Sequence, residues 1–231
     1  MTTYVLVHGS WAGGWGWERL RPLLEDKGHR VLAPSLTGLG DRGHLAGPEV
    51  GLSTHIEDIT RLLTWENLTD VILVGHSYGG MVITGVGGRV PERLAHLVYL
   101  DAFWPDPGQS AFDIRPDLPT LFGRPPAEHP WGWSPLDPAK VGITDPAEAA
   151  WLSARSTPMP TLTHSESLPV PEHAVNIPTT YVLGAARPLF ADTADKAAAA
   201  GATVVVWADA GHYLALQHPE RTARLLGELA S

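Results

Sequence analysis

The 231-residue sequence contains no cysteine. That excludes disulfides, thiolate metal sites and a cysteine nucleophile together, and it fits a reducing compartment. Basic residues are also scarce: 16 Lys and Arg against 25 Asp and Glu leave a formal net charge of −9. No run of Lys or Arg offsets that balance, which argues against a nucleic-acid partner, since phosphate binding needs clustered cations. No stretch approaches the ~20 apolar residues of a membrane span. The opening "MTTYVLVHGSW" runs straight into a strand pattern, without the charged start and apolar core of a signal peptide. The expectation is a soluble cytoplasmic protein with no membrane partner. Eleven histidines are present, yet none falls in an HxxxH or HxH spacing, so no metal is expected.

What is present is enough apolar material, 44% of residues, for one good core. Short β-branched runs at 4–9, 29–35, 70–75, 94–101, 179–184 and 203–209 read as strands. Most are apolar throughout, as parallel strands covered on both faces are. Helical patterns at roughly 17–27, 54–65, 78–89, 190–200 and 217–230 lie between them. Such alternation predicts an α/β fold with a doubly wound sheet of about six mainly parallel strands. The pattern breaks at 103–176, which holds most of the prolines and four of the nine tryptophans. Its one clear helix is 145–156, with Asp145 placed to cap and Pro146 in the first turn. Lying between two core strands, this segment reads as an inserted cap on a core made of 1–102 and 177–231; loop-rich insertions of this length are most often functional.

Gly75-His76-Ser77-Tyr78-Gly79 is a G-x-S-x-G sequence with a strand pattern before it and a helix pattern after it. That context is what the motif requires. A reversal in so few residues strains the backbone at the serine and brings neighbouring chain together, so side chains at 75 and 79 would clash. Ser77 is left at the strand tip beside helix-start N–H groups, the place for a nucleophile.

Three stretches together, "HGSWAGGW" (8–15), "GHSYGGM" (75–81) and "DAGHYLALQHPE" (209–220), resemble the α/β-hydrolase superfamily in its order, from residue 4 to the C-terminus. The likeness is to its small esterase and hydroxynitrile-lyase-like branch. It implies an oxyanion hole made by the backbone N–H groups of Ser10 and Tyr78, two preset donors of which either is typically worth about 10²–10³ in rate. It also implies His212 as general base, between the last strand and last helix, shuttling the serine proton. His218, before Pro219, reads as a helix-start residue, and His76 as packing behind the serine turn.

At one position the resemblance fails. The family usually carries its acid just past the penultimate strand, where this chain has Gly184-Ala185-Ala186-Arg187. A cation there would disfavour the imidazolium that forms in catalysis. Asp101, at the end of "LVYLD", is one substitute, displaced by about one strand spacing of ~4.8 Å. Asp192, at the start of the 190–200 helix, is another, and the third alternative is that no carboxylate serves.

The expected function is a serine hydrolase of the esterase, thioesterase or lactonase type, acting on a small apolar substrate through an acyl-serine, with Ser77, His212 and Asp101 catalytic. Trp11, Trp104, Phe112, Trp131 and Trp133 are the expected substrate-binding residues, with some of the segment's aromatics serving only as its core. No cofactor is implied, and a homodimer is left open. A lyase or cyclase using the same pocket, or a ligand-binding protein with little turnover, are the rivals, because fold alone does not choose among them.

Overall fold

The computed structural model describes residues 1–171 and 176–230. In chain order the strands are β1 (Thr3–Val7), β2 (Arg30–Leu32), β3 (Val71–His76), β4 (Leu94–Leu100), β5 (Gly132–Trp133), β6 (Met159–Pro160), β7 (Thr179–Gly184) and β8 (Thr203–Trp207). Six of them form one sheet in the order β2-β1-β3-β4-β7-β8, every neighbouring pair parallel. The helices are α1 (Arg21–Glu25), α2 (Leu52–Trp65), α3 (Gly79–Arg89), α4 (Ala111–Ile114), α5 (Leu118–Phe122), α6 (Pro146–Arg155), α7 (Leu162–Ser165), α8 (Ala191–Ala199), α9 (Leu214–Gln217) and α10 (Pro219–Glu228).

The strands are apolar throughout because both faces are covered. Alternate residues supply two separate cores, as the two-residue strand period demands. Val5, Val7, Leu73, Tyr99 and Tyr181 face the layer that contains α2, α3 and α8. Tyr4, Leu6, Val74, Val98 and Val182 face Trp17, α1, α9 and α10. Tyr4 also donates its hydroxyl to the Leu226 carbonyl at 2.8 Å, fastening α10 to the sheet.

Strand order reverses at β1, since β2 lies on one side of it and β3 on the other. The loops leaving β1 and β3 therefore diverge to opposite faces and leave a crevice at their C-terminal ends, the usual ligand site of such sheets. His8 to Trp11 and the Ser77 turn line that crevice.

Several elements differ from expectation for local reasons. The expected 17–27 helix is a 3₁₀ turn at Gly14–Trp17 followed by α1. The 217–230 helix is broken into α9 and α10 at His218, whose φ of −133° and ψ of 54° lie outside the helical region that the following Pro219 disfavours. β2 and β8 are shorter than their apolar runs. Between β4 and β7, α6 starts as expected, with Asp145 accepting from the Glu148 N–H at 2.8 Å. This segment also contains α4, α5, α7 and an antiparallel β5–β6 pair, none of them expected. The end of the expected cap includes residues 172–175, which lie outside the described residues. Among the described residues no helix is long and apolar enough to cross a membrane.

Candidate active site

The serine turn is assembled by close approach. A Cβ on Gly75 would lie 2.7 Å from the Gly79 carbonyl oxygen, so the fold admits only hydrogen there. Ser77 sits at φ 54°, left-handed backbone that a non-glycine residue adopts only when its surroundings impose it. The surroundings do so: its N–H donates to Leu100 O at 3.3 Å, and its carbonyl accepts from Gly80 and Phe103 at 3.0 and 3.1 Å. Tyr78, fully buried, is anchored by its hydroxyl, which donates to His55 Nδ1 at 3.0 Å. The donor is settled by His55 Nε2–H, which is given to the Thr37 carbonyl at 2.8 Å.

The loop after β1 is set with equal care. A Cβ on Gly9 would lie 2.9 Å from Ser77 Cβ, so glycine lets this loop press against the serine turn. His8 Nε2 accepts the Leu36 N–H at 3.0 Å, which leaves the Nδ1 proton to be donated to the Gly9 carbonyl at 2.8 Å. Burial holds this imidazole neutral, its pKa pushed down to about 4. Because the following peptide is planar and trans, drawing the Gly9 carbonyl to His8 turns the Ser10 N–H the opposite way. Neither the Ser10 nor the Tyr78 N–H donates to an acceptor among the described residues.

His212 and Asp101 meet. His212 Nδ1 donates to Asp101 Oδ2 at 2.6 Å, with the carboxylate fully buried and the imidazole 5% exposed. Asp101 Oδ1 accepts the Gly184 N–H at 3.1 Å, and its own N–H donates to Val182 O at 2.8 Å. Asp101 also holds positive φ, at 45°, and Tyr181 clamps the next residue with a hydroxyl that donates to Ala102 O at 2.6 Å. Since Leu100 pairs with Val182, the carboxylate reaches the end of β7 from one strand away. With Nδ1–H spent on the carboxylate, the neutral imidazole keeps Nε2 as its free lone pair, and His212 and Ser77 line one pocket.

A second imidazole lies beside this pair. The His76 ring centroid is 4.6 Å from that of His212, and its Nε2–H donates to the His212 carbonyl at 2.9 Å. Burial, with His212 adding to it, pushes the His76 pKa well below the ordinary histidine value. A neutral neighbour places no like charge beside an imidazolium on His212.

The other acid candidates lie elsewhere. Arg187 is exposed and donates to the Ala139 carbonyl at 3.0 Å, so its cation is aimed at the segment between β4 and β7. Asp192 is exposed in the first turn of α8 and makes no side-chain cap bond there. His218 stands at the N-terminal cap position of α10 without a side-chain cap bond, its ring edge-on to Trp207.

Of the five aromatic residues expected to bind substrate, only Trp11 lies on the pocket wall, beside Phe103, Phe122, Leu136, Leu189 and Phe190. Phe112 and Trp133 form the layer behind, packed on Phe122 and His164. Trp104 lies tilted against Tyr99, outside the wall of the pocket that holds Ser77, and Trp131 lies against His129. Residue type marked them as apolar surface, but their facing depends on short turns that carry no periodicity. No motif in the sequence marks His164. It is fully buried, lines the pocket and meets Ser10 Oγ at 3.1 Å, a contact spanning 154 residues of chain.

Among the described residues no cluster of His, Asp and Glu is arranged to hold a metal ion. The groups present can instead activate a hydroxyl, accept its proton and surround a negative oxygen with N–H donors, which is the chemistry of acyl transfer.

The alpha/beta hydrolase family model matches residues 4–225. A carbendazim hydrolyzing esterase of Nocardioides sp. is 53% identical over 116 residues, 50% of this chain and 48% of that one. Methylesterase 1 of Arabidopsis thaliana is 41% identical over 105 residues, 45% of this chain and 40% of that one. The matched stretches thus span about half or less of these curated relatives. Among solved structures, an extracellular alpha/beta-hydrolase from a Paenibacillus species, described as sharing structural and functional homology with tobacco salicylic acid binding protein 2, superposes with a TM-score of 0.85 at 26% identity, covering 99% of each chain. The architecture, the order of the motifs and the match over 4–225 agree: the chain belongs to the alpha/beta hydrolase family.

Proposed function

We propose that the protein is a carboxylic ester hydrolase that works through an acyl-serine, on a small apolar ester, thioester or lactone. The observation that carries this reading is the 2.6 Å contact of His212 with buried Asp101, in the same pocket as Ser77. His212 Nε2 takes the Ser77 proton as Oγ attacks the carbonyl, and Asp101 stabilises the imidazolium that forms. The Ser10 and Tyr78 N–H groups receive the oxyanion. Collapse expels the alcohol or thiol, protonated by His212, and a water activated by the same imidazole releases the acid. The wall of Trp11, Phe103, Phe122, Leu136, Leu189 and Phe190 favours an apolar substrate. The inserted segment acts as a cap, its Phe122 and Leu136 closing the pocket from above the sheet. The names of the relatives support ester hydrolysis, and the cysteine-free composition supports a cytoplasmic setting.

The test is the rate at which a fluorophosphonate adds to Ser77, read as a mass shift, in the wild type and in Asp101→Asn. Rapid wild-type labelling that slows strongly in the variant is expected, and ester turnover should fall by about 10⁴. Equal labelling of both proteins would remove Asp101 from the triad. Substrate turnover that survives Ser77→Ala would assign the site to a lyase or cyclase instead.

A further inference from the structure

The hydrogen bonds around His164 have only one consistent proton order. Thr163 Oγ lies 2.6 Å from the Pro160 carbonyl, which accepts only, so the single hydroxyl proton is spent there. Toward His164 Nδ1, at 2.9 Å, the same oxygen must accept, and Nδ1 therefore carries a proton. Burial pushes the His164 pKa down to about 3, so the ring is neutral and Nε2 is bare. Ser10 must then donate its hydroxyl to Nε2 across the 3.1 Å contact. The Ser10 hydroxyl consequently has no proton left for a substrate oxygen, and the donors facing an oxyanion are backbone N–H groups alone.

The same ring touches the second candidate donor. His164 stacks on Tyr78 at 4.9 Å between centroids and 27° between planes. Two further bonds tie the β1 loop to the inserted segment: Trp11 Nε1 donates to Trp133 O at 3.1 Å, and Thr157 N donates to Trp11 O at 2.9 Å. Trp11 is itself held at φ 60°, a conformation that such bonds must maintain.

We propose that His164 is a positioning residue for the oxyanion hole, holding Ser10 by a hydrogen bond and Tyr78 by stacking, so that the inserted segment sets the two donors that face Ser77. The proposal rests on the serine hydrolase reading. In this arrangement α7 does more than cover the pocket: it adds its hold to those of His8 on the Gly9–Ser10 peptide and of His55 on Tyr78.

The experiment compares wild type, His164→Phe, Ser10→Ala and the double variant. Phenylalanine suits a ring already surrounded by Phe103, Phe112, Phe122 and Trp133, and removes the acceptor for Ser10 together with the Nδ1–H bond to Thr163 Oγ. Each single variant should lose about 10- to 100-fold in kcat with KM within about twofold, as expected when a donor is displaced rather than deleted. The double variant should be no worse than the poorer single, because both changes break one interaction. Rates are normalised to the fraction of molecules whose Ser77 a fluorophosphonate labels at completion, so partial unfolding is separated from misplaced donors. Wild-type kcat per labelled site in the variants, or losses that multiply in the double, would overturn the proposal. If His164→Phe does not fold, Ser10→Ala decides alone by the same kcat criterion. A wild type that does not label at Ser77 would instead overturn the hydrolase reading itself.

Discussion

Asp101 is held by both carboxylate oxygens and its N–H: one oxygen to His212, the other to the Gly184 N–H, and the N–H to Val182. A carboxylate with no exposure is costly unless it is paired and hydrogen-bonded, and here it is both. Arg187 stands where the family resemblance places that acid, and a cation there would oppose an imidazolium. The structure removes that opposition by direction, since the guanidinium turns outward to Ala139 O. Arg187→Ala should therefore leave kcat within about twofold and stability within about 0.5 kcal/mol, the range of exposed substitutions. Steady-state kinetics and urea unfolding of that variant check both; a tenfold change in kcat would show that the cation reaches the site after all.

At the scale of elements, the strands were legible in the sequence and the inserted segment was not, for one physical reason. Strands buried on both faces must be apolar along their length, so β1, β3, β4 and β7 announce themselves wherever their neighbours lie. Helices of four or five residues, such as α4, α5 and α7, are too short to repeat an apolar face, and their positions are settled by distant partners. Site residues divide the same way. Ser77 and His212 are singled out as candidates by motif and element order, whereas the sequence offers Asp101 and Asp192 alike and only the folded contact with His212 separates them. His164 is not singled out, since Ser10 is its partner only after the segment has closed on the β1 loop. The serine turn is a legible element whose energetics can be tested. Gly75→Ala puts a methyl 2.7 Å from the Gly79 carbonyl oxygen, a backbone atom that cannot rotate aside. The variant should lose about 1–3 kcal/mol of stability through overpacking, measured by urea unfolding. A loss below 0.5 kcal/mol would mean that the turn relaxes more freely than its contacts allow.

Across the whole molecule, buried neutral histidines join the layers. His8 leaves β1, His55 lies on α2 and His164 on α7, and burial pushes their pKa values down to about 4, about 4 and about 3. Each ring needs a bare nitrogen to accept a proton from Leu36, Tyr78 or Ser10, so protonation breaks a bond as well as burying a charge. The sign for stability follows. Between pH 6.5 and 4 the unfolded chain binds protons that the folded chain refuses, so the stability present above pH 6.5 is lost as pH falls through that window. At 1.36 kcal/mol per unit, His8 alone accounts for about 3 kcal/mol. Three such groups rival the 5–15 kcal/mol that ordinarily separates folded from unfolded protein. The urea midpoint should therefore drop steeply between pH 7 and pH 4.5, with far-UV circular dichroism following the loss of fold. A midpoint flat over that range would show that these imidazoles are hydrated or already charged in the folded protein.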